Sequence, residues 1–154
     1  MRRHSVERTL LLVKPDGVQR GLVGEVLSRL EKRGLRLIGL KMLWMDRPLA
    51  ERLYAVHRGK PFYPGLVEYM TSGPIIAAVL EGPRAIGVVR QTMGETDPTR
   101  ASPGTIRGDL GLELGRNLVH GSDSPESAPR EIAIFFEEKE LLKYPREIDR
   151  WIME

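Results

Sequence analysis

Cysteine is absent from the 154-residue chain. Its absence excludes disulfides, thiolate metal sites and cysteine nucleophiles, and makes a reducing compartment, the cytoplasm, the expected location. Long apolar runs are absent too. Leu10–Val13, cut off by Lys14, and Ile75–Leu80 both fall far short of the roughly 20 residues that a membrane helix needs. The basic start Met1-Arg2-Arg3-His4 therefore lacks the apolar stretch of an export signal, and neither export nor insertion is expected. Aromatic residues make up only 6%, and the aromatic stacking motif of RNA-binding sheets is missing. Gly59-Lys60 runs into Pro61 where a Walker A loop requires Ser or Thr, and the protein-kinase motifs are missing as well. His4, His57 and His120 show no metal-ligand spacing, so no protein-built zinc site is expected.

What remains is the composition of one globular domain over residues 1–154, with 41% hydrophobic and 29% charged residues, 16 Gly and 11 Pro. The formal net charge of +3 is unevenly placed: residues 1–47 carry 11 basic and 5 acidic side chains, residues 126–154 carry 5 and 8. Arg29, Lys32, Arg33 and Arg36 fall around one expected helix end, where cations suit the helix dipole, and read as a solvated face.

The aliphatic run 8–14 predicts a central strand closed by the turn-former Pro15-Asp16-Gly17. Leu22, Val23, Val26, Leu27 and Leu30 recur at helical spacing, so 21–33 reads as an amphipathic helix stopped by Gly34. Strands are expected at 35–44, 75–80 and 132–136. Helices are expected at 48–57 with Asp46 as N-cap, at 64–71, and from Pro83 to Gly94. Between Gly94 and Pro129 periodicity fails, and isolated arginines stand among small residues, which predicts a long, site-bearing loop. This order is the split βαβ pattern. It predicts an α+β, ferredoxin-like sandwich: a four-stranded antiparallel sheet with helices against one face. The tail, 141–154, carries Ile148, Trp151 and Ile152 and should pack on the domain or on a neighbouring subunit.

The chemistry concentrates in Gly115-Arg116-Asn117-Leu118-Val119-His120-Gly121-Ser122-Asp123-Ser124. A histidine among small residues is accessible, and imidazole is a competent nucleophile at neutral pH when its other nitrogen is held; taken alone, the decapeptide reads equally well as a surface histidine capped by Gly121. Glu131, at the start of the expected last strand, is the candidate orienting partner. His57 lies at a helix end, where its charge would complement the dipole. Phosphoryl transfer needs converging cations more than covalent help, and Lys14, Arg90 and Arg107 stand outside charge runs.

The decapeptide around His120 resembles the active-site signature of the nucleoside diphosphate kinase family. Val13-Lys14-Pro15-Asp16-Gly17-Val18, Arg58 to Val67, Thr71-Ser72-Gly73-Pro74 and Pro103 to Asp109 resemble further family motifs, in the family's order across residues 7–140. The resemblance implies a ping-pong transfer of a nucleoside triphosphate's terminal phosphate to a nucleoside diphosphate through phosphorylated His120, on its pros nitrogen. The residues themselves do not choose between the two ring nitrogens. It implies that Phe62 stacks on the base beside Leu66 and Leu114, which tolerates any base. Lys14 and Asn117 would bond the ribose, Lys14 also lying near the travelling phosphate. Arg90, Thr96 and Arg107 would hold the phosphates, Tyr54 would lie beside His120, and Glu131 supported by Ser122 would orient the imidazole. Mg2+ would ride on the nucleotide phosphates, with no direct protein ligand and Asp123 within reach through water. A homo-oligomer is implied, a hexamer ahead of a tetramer. Leu110 and Leu53 depart from the residues common in the family and bear on local packing.

Two other readings carry less. A nucleic-acid-binding sheet would use the basic first third, but aromatics are few and the segment 91–125 is net acidic. A dead-site assembly partner would not keep every catalytic position occupied by the expected residue type.

Overall fold

The computed structural model describes residues 6–154; His4 and the basic start lie outside the described residues. Four strands, β1 (Val6–Val13), β2 (Arg36–Trp44), β3 (Pro74–Pro83) and β4 (Val119–Gly121), form one sheet in the order β2-β3-β1-β4. Every neighbouring pair is antiparallel. The connections are α1 (Pro15–Gln19) and α2 (Val23–Lys32) between β1 and β2, then α3 (Arg47–Leu53), a 3-10 turn at Ala55–His57 and α4 (Tyr63–Met70) before β3. After β3 come α5 (Ala85–Met93) and α6 (Ile106–Leu110), then β4. The chain closes with α7 (Ser127–Phe135), a 3-10 turn at Glu138–Glu140 and α8 (Asp149–Ile152). This is the expected ferredoxin-like α+β architecture.

Helices cover both faces of the sheet, not one. Leu10 and Leu12 of β1 point into a core with Leu53, Val67, Ile132 and Phe135, on the side of α3, α4 and α7. Leu11 and Val13 point into a second core with Val26, Leu30, Val89 and Ile106, on the side of α2, α5 and α6. All four β1 residues are fully buried. A strand covered on both faces must be apolar at every position, and this is why β1 reads as an unbroken run and not as an alternation.

Local signals hold at several ends. Asp46 accepts from the Leu49 amide at 2.9 Å as the N-cap of α3. Gly34, at φ +97°, ends the α2 segment in a left-handed conformation that favours glycine.

Two expectations are corrected. Residues 132–136 belong to α7 and its C-cap, not to a strand. Ala128, Ile132 and Phe135 are buried at i, i+4 and i+7, a helical stripe that a short apolar run conceals. The fourth strand is instead the three-residue β4, inside the segment expected to be loop. That segment also contains α6, capped by the Thr105 hydroxyl accepting from Gly108 N at 3.0 Å.

The tail returns along the outer edge of β2. Leu142 N donates to Ile38 O at 2.9 Å, Arg146 Nη2 donates to Gly34 O at 2.8 Å, and the Tyr144 hydroxyl donates to Leu37 O. The tail therefore packs on its own domain, although Trp151 stays 77% exposed. Leu53 and Leu110 both take places against the cores, Leu53 within the α3 side and Leu110 partly buried on the α6 side. Among the described residues no helix is long and apolar enough to cross a membrane.

Candidate active site

His120 is the middle residue of β4 and pairs with Leu12 of β1. Alternation along β1 puts Leu12 on the α3–α4–α7 face, and His120 opens on that face into a cleft of about 1210 Å³. The volume is ample for a nucleotide-sized ligand.

The imidazole is oriented from α7. His120 Nε2 lies 2.8 Å from Glu131 Oε1, and the Ser122 hydroxyl donates to the same oxygen at 2.9 Å. Glu131 sits one turn from the end of α7 with its side chain 8% exposed. Burial alone would raise its carboxyl, but the hydrogen bonds from His120 and Ser122 outweigh burial and hold it below the ordinary value. Tyr54, the C-cap of α3, presents its ring nearly perpendicular to the imidazole at 6.1 Å between centroids. Its hydroxyl is buried and has no hydrogen-bond partner among the described residues. Burial and the Glu131 charge raise its pKa, so the hydroxyl stays protonated and able to donate.

The cations come from three elements. Lys14 follows β1 and donates from Nζ to Asn117 Oδ1 at 2.8 Å. Burial, then the Arg107 charge, lowers its pKa to about 8. Arg107 of α6 donates from Nε to Asn117 O (3.1 Å), from Nη1 to Gly94 O (3.1 Å) and from Nη2 to Val119 O (2.7 Å). A guanidinium has five N–H donors, so these three bonds tie the β4 approach together and two donors have no protein partner among the described residues. Burial, then Arg90, lowers its pKa to about 10, which leaves it charged at neutral pH. Arg90 of α5 and Thr96 line the same cleft, and the Thr96 carbonyl accepts from Asn117 Nδ2 at 3.1 Å. Asp123 also lines the cleft; the hydrogen bond from the Ser127 hydroxyl does most to lower its pKa.

The opposite wall is apolar. Phe62 precedes α4, Leu66 follows one turn later on the same face, and Leu114 lines the same cleft. Phe62 and Leu114 are 52% and 57% exposed, an apolar slot open to a flat ring.

The residues given site roles in the sequence line this one cleft, except Ser122, which supports Glu131 from behind. Reading from sequence missed others. His57, read as a dipole-complementing helix end, lines the cleft with its ring 5.1 Å from Phe62 and 6.2 Å from Tyr54. Its Nδ1 lies 3.2 Å from Lys60 Nζ, and burial followed by the Lys60 charge lowers its pKa. Tyr69 and Arg116 also line the cleft, with the Arg116 guanidinium 4.6 Å from the Tyr69 ring centroid. Phe62, Leu66 and Tyr69 stand at i, i+4 and i+7. That spacing was the available signal, but from sequence it reads as an ordinary core stripe.

A ferredoxin-like sandwich that gathers buried Lys14 and Arg107 and exposed Arg90 around a nucleotide-sized cleft is an arrangement suited to phosphoryl transfer. The sequence pattern described as "Nucleoside diphosphate kinase" matches residues 7–141. The nucleoside diphosphate kinase of Thermomicrobium roseum is 65% identical over 148 residues, covering 96% of this chain and 99% of that protein. That of Archaeoglobus fulgidus is 57% identical over 149 residues, covering 97% and 99%. Among solved structures, a halophilic nucleoside diphosphate kinase from Halobacterium salinarum in complex with CDP superposes with a TM-score of 0.95. It is 52% identical and covers 97% of this chain and 100% of its own. A nucleoside diphosphate kinase family protein from Babesia bovis gives a TM-score of 0.93 at 42% identity, covering 96% and 99%. The chain belongs to the nucleoside diphosphate kinase family.

Proposed function

We propose that His120 carries the phosphoryl group between nucleotides and that its Nδ1 is the attacking atom. The observation that carries this is the 2.8 Å contact between His120 Nε2 and Glu131 Oε1. It commits one nitrogen to a buried carboxylate and leaves the other for chemistry. The Nδ1 lone pair forms a bond to the terminal phosphorus of a nucleoside triphosphate as the bond to the bridging oxygen breaks, releasing the diphosphate. The ring gains positive charge, which the Glu131 carboxylate stabilises. A second nucleoside diphosphate binds in the same cleft, its terminal oxygen attacks the phosphorus, the N–P bond breaks and the imidazole is restored.

Lys14, Arg90 and Arg107 hold the phosphates, with the Thr96 hydroxyl beside them. Lys14 and Asn117 bond the ribose. The unpartnered Tyr54 hydroxyl turns its donor towards the phosphoryl group. Phe62 stacks on the base, with Leu66 and Leu114 closing the slot. Stacking reads a π-face and no particular base edge, so base tolerance is broad.

Among the described residues no cluster of three or more metal-ligating side chains exists. Mg2+ would ride on the nucleotide phosphates, with Asp123, which lines the cleft, as the carboxylate that could reach it through water. The ion supplies charge neutralisation on the phosphate oxygens.

We take residues 1–154 as one domain acting on nucleoside tri- and diphosphates. The cysteine-free composition suits the cytoplasm. Assembly as a homo-oligomer, a hexamer ahead of a tetramer, follows from the family resemblance. The exposed apolar Leu40, Met42 and Trp44 on edge strand β2 support it.

Initial-rate kinetics with ATP and GDP varied together tests the scheme. A shuttle through the enzyme gives parallel double-reciprocal lines, and His120→Ala abolishes turnover. Intersecting lines would mean direct transfer between two nucleotides bound at once.

A further inference from the structure

The strand that bears His120 begins in an uncommon backbone. Leu118 is fully buried and has φ +75°, a left-handed value rarely adopted by a bulky residue. The Val119 amide donates to the Asn117 carbonyl at 2.8 Å, so residues 117–119 form a γ-turn of the rare, strained hand. A turn of this kind persists only where its surroundings over-determine it. Two residues later comes the nucleophile.

The surroundings can be counted bond by bond. The Leu118 carbonyl accepts from Lys14 N at 2.8 Å. The carbonyls on either side, of Asn117 and Val119, accept from Arg107 Nε and Nη2 at 3.1 and 2.7 Å. The Leu118 amide donates to Asp16 Oδ2 at 3.2 Å. The other oxygen of that carboxylate, Oδ1, accepts from the Tyr69 hydroxyl. Asp16 lies in α1 and Tyr69 in α4, on the face that also carries Leu66. One carboxylate thus joins the cleft's apolar wall to the backbone two residues before His120. Burial, then Asp16, raises the Tyr69 pKa, which keeps its hydroxyl a donor.

Resting on the phosphohistidine reading above, we propose that Asp16 and Tyr69 are positioning residues for phosphoryl transfer. They hold the Leu118 turn in its left-handed conformation and thereby fix His120 relative to the nucleotide wall. Neither side chain forms bonds to the reacting atoms in this role. Their effect is geometric, and small misplacements of a nucleophile cost rate out of proportion to affinity.

The test separates rate from binding. Single-turnover phosphorylation of the full chain by terminally labelled ATP and magnesium, at varied ATP, yields a limiting rate and a Kd for wild type, Tyr69→Phe, Asp16→Ala and Asp16→Asn. Tyr69→Phe removes one oxygen and keeps the ring. It should lower the limiting rate ~10-fold while Kd changes less than about twofold. Asp16→Ala, which frees both partners, should lower the rate ~100-fold. Asp16→Asn should recover most of that loss, because its amide oxygen still accepts from the Leu118 amide.

A limiting rate unchanged in Tyr69→Phe and Asp16→Ala, with only a lower melting temperature, would make the pair a fold stabiliser and overturn the proposal. So would a Kd that rises with the limiting rate intact, which would assign the pair to binding. Should Asp16→Ala fail to fold, Tyr69→Phe still decides: a limiting rate lowered at unchanged Kd supports the proposal, and an unchanged limiting rate overturns it. A wild type that takes no label would sink the phosphohistidine reading and the clamp together, whereas a labelled wild type with unaffected variants sinks the clamp alone.

Discussion

Replacing Glu131 by glutamine exchanges a carboxylate for an amide of nearly the same shape at the back of the imidazole. The amide oxygen can still accept from His120 Nε2 and from the Ser122 hydroxyl, which now meet one carboxylate oxygen at 2.8 and 2.9 Å. Orientation is kept and charge is lost. A hydrogen bond to a charged group is worth ~1.5–3 kcal/mol net, against ~0.5–1.5 for a neutral one. The side chain is only 8% exposed, so water does little to screen the difference. The missing charge matters most when the ring becomes cationic on attack, so the loss of ~1–2 kcal/mol falls on the transition state and not on nucleotide binding. The expected result is a ~5- to 30-fold slower phosphorylation of His120 with an unchanged nucleotide Kd. Glu131→Ala, which also removes the orientation, should lose ~100-fold or more. Rapid-quench single turnovers give rate and Kd separately. A Glu131→Gln rate within twofold of wild type, or a loss confined to Kd, would refute electrostatic stabilisation of the ring.

Other consequences follow from the same geometry. With Lys14 lowered to about 8, kcat/KM, which reports the free enzyme, should fall as pH rises through about 8, and Lys14→Arg should move that limb upward. The folded pKa of Lys14 lies below the ordinary 10.5, so between about 8 and 10.5 the unfolded chain binds more protons and stability rises with pH. The full difference is worth ~3 kcal/mol. Denaturant titrations at pH 8 and 9.5, read against Lys14→Met, should show that slope in wild type and not in the variant. Phe62→Ala should raise KM ~10-fold or more for purine and pyrimidine nucleotides alike with little change in kcat, and a loss confined to one base would contradict stacking. A Cβ at Gly108 would lie 2.0 Å from the Ser102 carbonyl oxygen. Gly108→Ala should therefore cost ~3 kcal/mol by overpacking and lower the melting temperature by several degrees.

Much of the scaffold is written in local pattern. The aliphatic run of β1, the spacing of Val26 and Leu30, the Asp46 cap and the Gly34 stop each name an element by a short-range rule. The candidate site residues were named from one histidine among small residues, from cations standing outside charge runs, and from motifs that resemble those of the family. Three features were not legible in the sequence. Strand β4 is three residues long, too short to show any period, and its place is set by pairing with β1. Helix α7 presents Ile132-Ala133-Ile134-Phe135, a run whose helical stripe shows only when Ala128 is included. The Asp16–Tyr69 and Arg107–carbonyl bonds join residues far apart in sequence or engage backbone atoms that carry no sequence signal. Asp16 therefore read as a turn-former, and Arg107 as a phosphate ligand alone.

The most direct test of the central claim is to incubate the pure protein and a His120→Ala variant with terminally labelled ATP and magnesium, then chase with GDP. The wild type should take an acid-labile label and pass it to GTP on the chase, and the variant should take none. A wild type that binds nucleotide yet takes no label, or a variant that labels as well as the wild type, would contradict it.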